Sequence, residues 1–313
     1  MTTSIQVQYI TLKPFEQKTV TFGGPKTIGY IPTVTAATWS ITAFQFSYGA
    51  SNKPPCPHKI QTMGISIQVQ RVMENTLSLM AIQTMCDNSN NTLDQSQSSV
   101  TICLIVQLDD APGAAVNGFI GNTPINCQSG WPLSGETTVN LPAGCSPTVC
   151  VAGIAGFWVN FDNAVGNIEE VGAEVIINES GTGIIAALPV IQSSSSCQAS
   201  CSFVEAGVLV LDSQNIQSLP FPQFTVTDSN TTQTQSLTET NPYTSLGLMM
   251  QSFQFRYSGN YEVQHAFGST SLTGQGQDIS LEVSGNMWRP SSGLNDAHTS
   301  SPNNFSFTAL AIS

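Results

Sequence analysis

Ile41-Thr-Ala-Phe44-Gln-Phe46-Ser-Tyr48 is the stretch that decides how this chain is read, because it comes back twice. Residues 250–257, Met250-Gln-Ser-Phe253-Gln-Phe255-Arg-Tyr257, repeat it closely. Residues 154–161, Ile154-Ala-Gly-Phe157-Trp-Val159-Asn-Phe161, repeat it more loosely. In all three the large apolar residues stand at alternate positions, and a strand turns successive side chains to opposite faces, so each stretch predicts a strand with one apolar face. That face reads as core, its rings packed against a facing sheet. Val159 replaces a ring in the middle stretch, which a packing position tolerates and a ligand platform does not.

The flanks correspond as well. About twenty residues upstream lie Thr19-Val-Thr-Phe22, Thr138-Val-Asn-Leu141 and Phe224-Thr-Val-Thr227. Downstream, residues 58–70 (HKIQTMGISIQVQ) resemble residues 167–178 (NIEEVGAEVIIN), with His265 and the following AFGSTSL in the same place of the last copy. Next come Leu77-Ser-Leu79-Met-Ala81, Ile184-Ile-Ala-Ala-Leu188 and Ile279-Ser-Leu281-Glu-Val283. Each copy closes, after a Ser- or Asn-rich loop, on an apolar strand: Val100 to Leu108, Phe203 to Leu211 and Phe305 to Ile312. Short β-rich runs separated by Gly, Pro, Asn and Asp are the pattern of sandwiches and barrels, and amphipathic helices are missing. The expectation is an all-β chain of three tandem, divergent β-sandwich units, jelly-roll-like or Ig-like, of about 100 residues each. Their limits are residues 1–112, 113–212 and 213–313.

Charge restricts the partners. Only 9% of the 313 residues are charged and the net charge is −12, against a usual charged share of about 25%. No Lys or Arg lies between positions 72 and 255, where fifteen of the twenty acids fall. A phosphate backbone needs clustered cations, so nucleic acid is excluded as an expected partner, and an anionic membrane surface with it. No window reaches the roughly twenty apolar residues of a spanning helix, and residues 1–15 lack the order of a signal peptide. The expected location is extracellular, or a virion or cell surface, by an export route the sequence does not name.

The eight cysteines suit disulfides, with Cys145/Cys150 and Cys197/Cys201 as the local candidates. Their spacings are not those of zinc knuckles. The oxygen-rich run Asp87-Asn-Ser-Asn-Asn-Thr-Leu-Asp94 makes Asp87 and Asp94 weak calcium candidates, since it lacks the Gly and terminal Glu of an EF-hand. No other metal, and no cofactor, is expected. Four N-x-S/T sequons, at Asn90, Asn178, Asn230 and Asn304, become glycosylation candidates in a secreted chain.

Catalytic motifs are absent: there is no GxSxG, P-loop or HExxH. Asp109-Asp110 suits a turn, and Glu169-Glu170 are strand neighbours whose side chains diverge. Glu170 and Glu174 are the acids a fold could bring together on a glycosidic bond. The chain is therefore read as a non-enzymatic structural protein that assembles with itself into an exposed particle, appendage or filament. The alternative is a multivalent carbohydrate-binding or adhesion protein, with Trp288, Arg289 and Trp131 as ligand-binding candidates and Trp39 behind them. Its expected partners are further copies of itself, with glycans under the alternative.

Overall fold

A computed structural model describes residues 4–23, 31–48, 60–87, 92–109, 117–126, 135–161, 170–180, 183–187, 199–227, 232–239, 242–256, 265–275, 277–288 and 303–313. Every regular element among them is a β-strand. The first third of the chain forms β1 (Ser4–Leu12), β2 (Gln17–Thr21), β3 (Thr33–Ser47), β4 (Ile60–Met73), β5 (Thr76–Asp87) and β6 (Ser99–Asp109). The middle third forms β7 (Gly118–Asn126), β8 (Glu136–Asn140), β9 (Val149–Phe161), β10 (Glu170–Glu174), β11 (Ile176–Ser180), β12 (Gly183–Ala187) and β13 (Ala199–Leu211). The last forms β14 (Ile216–Pro220), β15 (Phe224–Val226), β16 (Gln233–Thr238), β17 (Ser245–Arg256), β18 (His265–Gln275), β19 (Asp278–Trp288) and β20 (Asn303–Ile312).

The pairing departs from three sandwiches placed in tandem. One six-stranded sheet runs β1-β6-β3-β18-β19-β16, so half of it comes from each end of the chain. The second, β2-β5-β4-β9-β13-β7, joins the first third to the middle one. In the third, β10 of the middle third lies on β17 of the last, followed by β20 and β14, with β15 also on β20. Val175 separates β10 from β11, which heads a three-stranded sheet β11-β12-β8.

The joints share one register. Ile65 of β4 faces Phe157, Ala173 of β10 faces Phe253, and Gly268 of β18 faces Phe44. Each third thus donates a strand to the next one's central aromatic strand, and the last third returns to the first. All strand pairs in these sheets are antiparallel, and buried hydrophobic residues from all three thirds merge into a large core, with a second, smaller cluster around Cys103, Val151, Leu209, Met249 and Leu310.

The three aligned phenylalanines meet in its middle. Phe44 and Phe253 have ring centroids 5.2 Å apart, Phe157 and Phe253 4.9 Å, and Phe44 and Phe157 6.1 Å. Four residues earlier the equivalent positions are Ser40, Gly153 and Met249, and they meet too. A Cβ on Gly153 would stand 2.5 Å from the Ser40 Oγ and 3.1 Å from the Met249 Cβ, so only glycine fits the approach there.

A bulge marks the same place in all three strands. The ladder of β3 skips a residue between Ile41 and Ala43, that of β9 between Ile154 and Gly156, and that of β17 between Met250 and Ser252. The extra residues are Thr42, Ala155 and Gln251, each one past the start of its quoted stretch. A bulge leaves backbone groups outside the ladder, and each freed carbonyl finds a different donor. Thr270 Oγ1 donates to the Thr42 carbonyl at 2.9 Å, Trp39 Nε1 to that of Ala155 at 3.2 Å, and the Val175 amide to that of Gln251 at 2.8 Å.

One sequence match needs correcting. β2 lies on β5 and β8 on β12, so the equivalent strand of the last third is β16, on β19. Phe224–Val226 pairs with β20 instead. Both segments alternate, and alternation does not say which neighbour a strand will find.

Candidate interaction surfaces

Among the described residues eight strands end the four sheets, β1, β2, β7, β8, β10, β11, β14 and β16. β1 and β2 are the end strands of two different sheets, as are β7 and β8, and β14 and β16. Each third therefore has two open edges at what we call its corner, the middle one having two more at β10 and β11, and an open edge offers unpaired backbone groups to another chain.

The corner of the first third carries an unusual turn. Between β1 and β2, the Glu16 amide donates to the Lys13 carbonyl at 3.0 Å, the Phe15 amide to that of Ala81 at 2.7 Å, and the Lys13 amide to Glu16 Oε2 at 2.8 Å. Pro14 occupies the second turn position, which its ring geometry suits, and is buried. Phe15 follows with φ at 61°, the left-handed region that glycine or asparagine normally fills. Its ring is 55% exposed. Lys13 is exposed beside it, and Lys18 reaches Glu16 at 3.5 Å. These neighbours hold the Glu16 carboxyl below its usual range, the Lys13 backbone bond first among them. At the β4–β5 tip, Val72 and Met73 are also exposed, next to Arg71.

The corner of the last third carries a groove of about 330 Å³. Pro242, Tyr243 and Ala311 give it apolar walls, while Gln214, Asn215 and Gln217 line it with amides. Glu239, only 3% exposed, closes it. Tyr243 is held by its hydroxyl, which donates to the Asp278 carbonyl at 3.0 Å. Asp278 in turn accepts from Thr238 at 3.0 Å.

Charge is divided between these regions. Residues 1–73 hold six of the eight basic residues and one acid, Glu16. The remainder holds nineteen acids with Arg256 and Arg289.

A polar cluster sits where the first and middle thirds meet. Thr38 donates to Asn122 Oδ1 at 2.8 Å, and Asn122 Nδ2 donates to Glu205 Oε1 at 3.4 Å. Burial pushes the Glu205 carboxyl above its usual range, against the pull of Asn122. Burial likewise raises Glu174 and lowers His265. Glu170 and Glu174 stand at the two ends of the five-residue β10, about 13 Å apart along the strand.

The sequence candidates are scattered. Trp39 is buried and bonded to Ala155, so it is no platform for a ligand. Trp131, Arg289, Cys197, Asn90 and Asn230 lie outside the described residues, while Trp288, Cys201, Asp87 and Asn178 belong to β19, β13, β5 and β11. Asp94 spends Oδ1 on the amide and hydroxyl of Ser96 at 2.8 and 2.7 Å, which hold its carboxyl below the usual range. Among the described residues no three His, Cys, Asp or Glu side chains gather as a metal site would require. Cys145 and Cys150 carry thiols with no disulfide between them, and the Cys145 thiol faces the Asn117 carbonyl at 3.6 Å. Buried Cys103 accepts from the Leu248 amide at 3.3 Å, and burial pushes its thiol up to about 11. Asn304 is bound at both ends of its amide, by Thr225 at 3.1 Å and to Gln254 at 2.9 Å, which ties down the nitrogen a glycan would need.

Sequence reasoning missed the Phe15 turn and the groove. A Pro-Phe pair is an ordinary turn signal, and the groove joins residues from three separate segments. Among the described residues no helix is long and apolar enough to cross a membrane. No protein-family model, curated protein or solved structure matches the chain.

Proposed function

We propose that this chain is a structural subunit that assembles with copies of itself into an exposed particle, appendage or filament. The observation that carries the reading is the set of open sheet edges among the described residues, at least two to each third, on strands that carry few charges. β2 shows Gln17, Thr19 and Thr21 to solvent, and β16 shows Thr234, Ser236 and Thr238. Low charge removes the repulsion that natural sheets use to keep such edges apart.

The three thirds, with limits near 1–112, 113–212 and 213–313, are copies of one β-unit on this reading. Three bulges at matching positions and three joints in one register support it. Each unit lends strands to its neighbour instead of closing a sandwich of its own.

A repeated glycan site fares less well, since the position of Trp158 is occupied by Gln45 and Gln254 in the other copies. Light scattering and negative-stain microscopy of the purified chain test the reading. Particles or fibres that grow with concentration are expected, and monomers at every concentration would overturn it.

A further inference from the structure

We propose that copies of this chain join head to tail, with Phe15 of one copy seated in the groove of Glu239, Pro242 and Tyr243 on the next. The proposal rests on the self-assembly reading and names its contact. Phe15 is the only non-glycine residue with positive φ among the described ones, and the phenyl ring brings the turn nothing that glycine would not supply at less strain. Three backbone-anchored hydrogen bonds and a buried Pro14 fix the direction in which that ring points. A bulky residue held in a disfavoured conformation, with its side chain in water, is a feature to explain by what the side chain meets.

The groove has the size and walls for a phenyl ring. Its volume of about 330 Å³ is bounded by Pro242, the Tyr243 ring and Ala311, with three amides, Ser313 and Glu239 around them. The charges complement each other as well. Lys13 and Lys18 flank Phe15, and with Glu16 paired to Lys18 the head keeps one net positive charge, whereas Glu239 closes the groove and Asp278 lies behind Tyr243. Head and groove belong to different thirds of the chain, so the contact is not self-complementary. Such a heterologous contact repeats from copy to copy and yields a ring if it closes and a filament if it does not.

Two variants of the full-length chain test this. Phe15→Gly removes the ring and relaxes the turn, and Gln214→Trp, at an exposed groove position, fills the cleft. Each alone is expected to lower the association constant at least tenfold by analytical ultracentrifugation, with circular dichroism unchanged. Assembly of the unaltered chain is expected to weaken from 20 to 500 mM NaCl. Mixed together, the two variants are expected to form one-to-one dimers and nothing larger, because one retains the groove and the other the head.

Unchanged assembly in both variants would overturn the contact while leaving self-assembly standing. Loss in both without dimers on mixing would also overturn it. An unaltered chain that stays monomeric sinks the contact together with the reading beneath it. Should that monomer bind a neutral oligosaccharide, with binding lost in Gln214→Trp, the groove is a sugar site.

Discussion

Phe157 shows how a single side chain in this protein answers to two others far away in sequence. Its ring contacts those of Phe44 and Phe253, and all three are buried. Phe157→Ala should cost about 3–5 kcal/mol, the usual range for emptying such a site. Phe157→Ala combined with Phe253→Ala should cost less than the two singles together, since each already removes the contact between them. Urea denaturation of the three variants checks both statements. Glu205 makes a pH prediction. Its folded pKa is raised by burial, so the unfolded chain gives up this proton at lower pH. Stability should therefore fall as pH rises from about 4.3, the unfolded value, through the folded one. Glu205→Gln still accepts from Asn122 and has no proton to lose. Its urea midpoints between pH 4 and 7.5 should fall less steeply than those of the unaltered chain, the remaining slope including Glu174.

At the scale of the element, the bulge is the device to test. Deleting Gln251 would join Met250 to Ser252, whose partners Phe307 and Ser306 are already neighbours. The ladder would become regular with Phe253 and Phe255 still facing the core, while the carbonyl that accepts from the Val175 amide and the local twist would be lost. The deletion is expected to lower the melting temperature by several degrees. Gln251→Ala retains the carbonyl that accepts from Val175 and loses only the side-chain bond from Thr308. About 1 kcal/mol is expected from that loss. A comparable penalty for the two changes in a thermal melt would mean that the bulge and the carbonyl it frees add nothing to stability. The central strands themselves were legible in the sequence: alternation marked Phe44 and Phe46, Phe157 and Val159, and Phe253 and Phe255, which fall within β3, β9 and β17. The bulges were not, because an extra residue in a strand has no residue-type signature when Thr, Ala and Gln can all supply it.

For the whole molecule the consequence is cooperativity. Because β18 of the last third closes a sheet on β3 of the first, and β10 of the middle third lies on β17, no third holds a complete set of partners. A protease site placed between Gln214 and Asn215, both exposed between β13 and β14, allows the chain to be nicked there. The two pieces should stay together in size-exclusion chromatography and melt in one transition. Separate elution, or two transitions, would indicate thirds that fold independently.

The sequence by itself determined that the chain is all β and where its central buried strands lie. Those properties follow from alternation and local spacing, which act within a few residues. Only the tertiary structure decided that the thirds exchange strands, that Phe44, Phe157 and Phe253 meet, and that Phe15 stands out from a strained turn. Edge pairing is the physical reason. A strand with free hydrogen-bonding groups accepts a suitable neighbour from its own copy or another, and the choice depends on the closure of the whole core rather than on any stretch of residues.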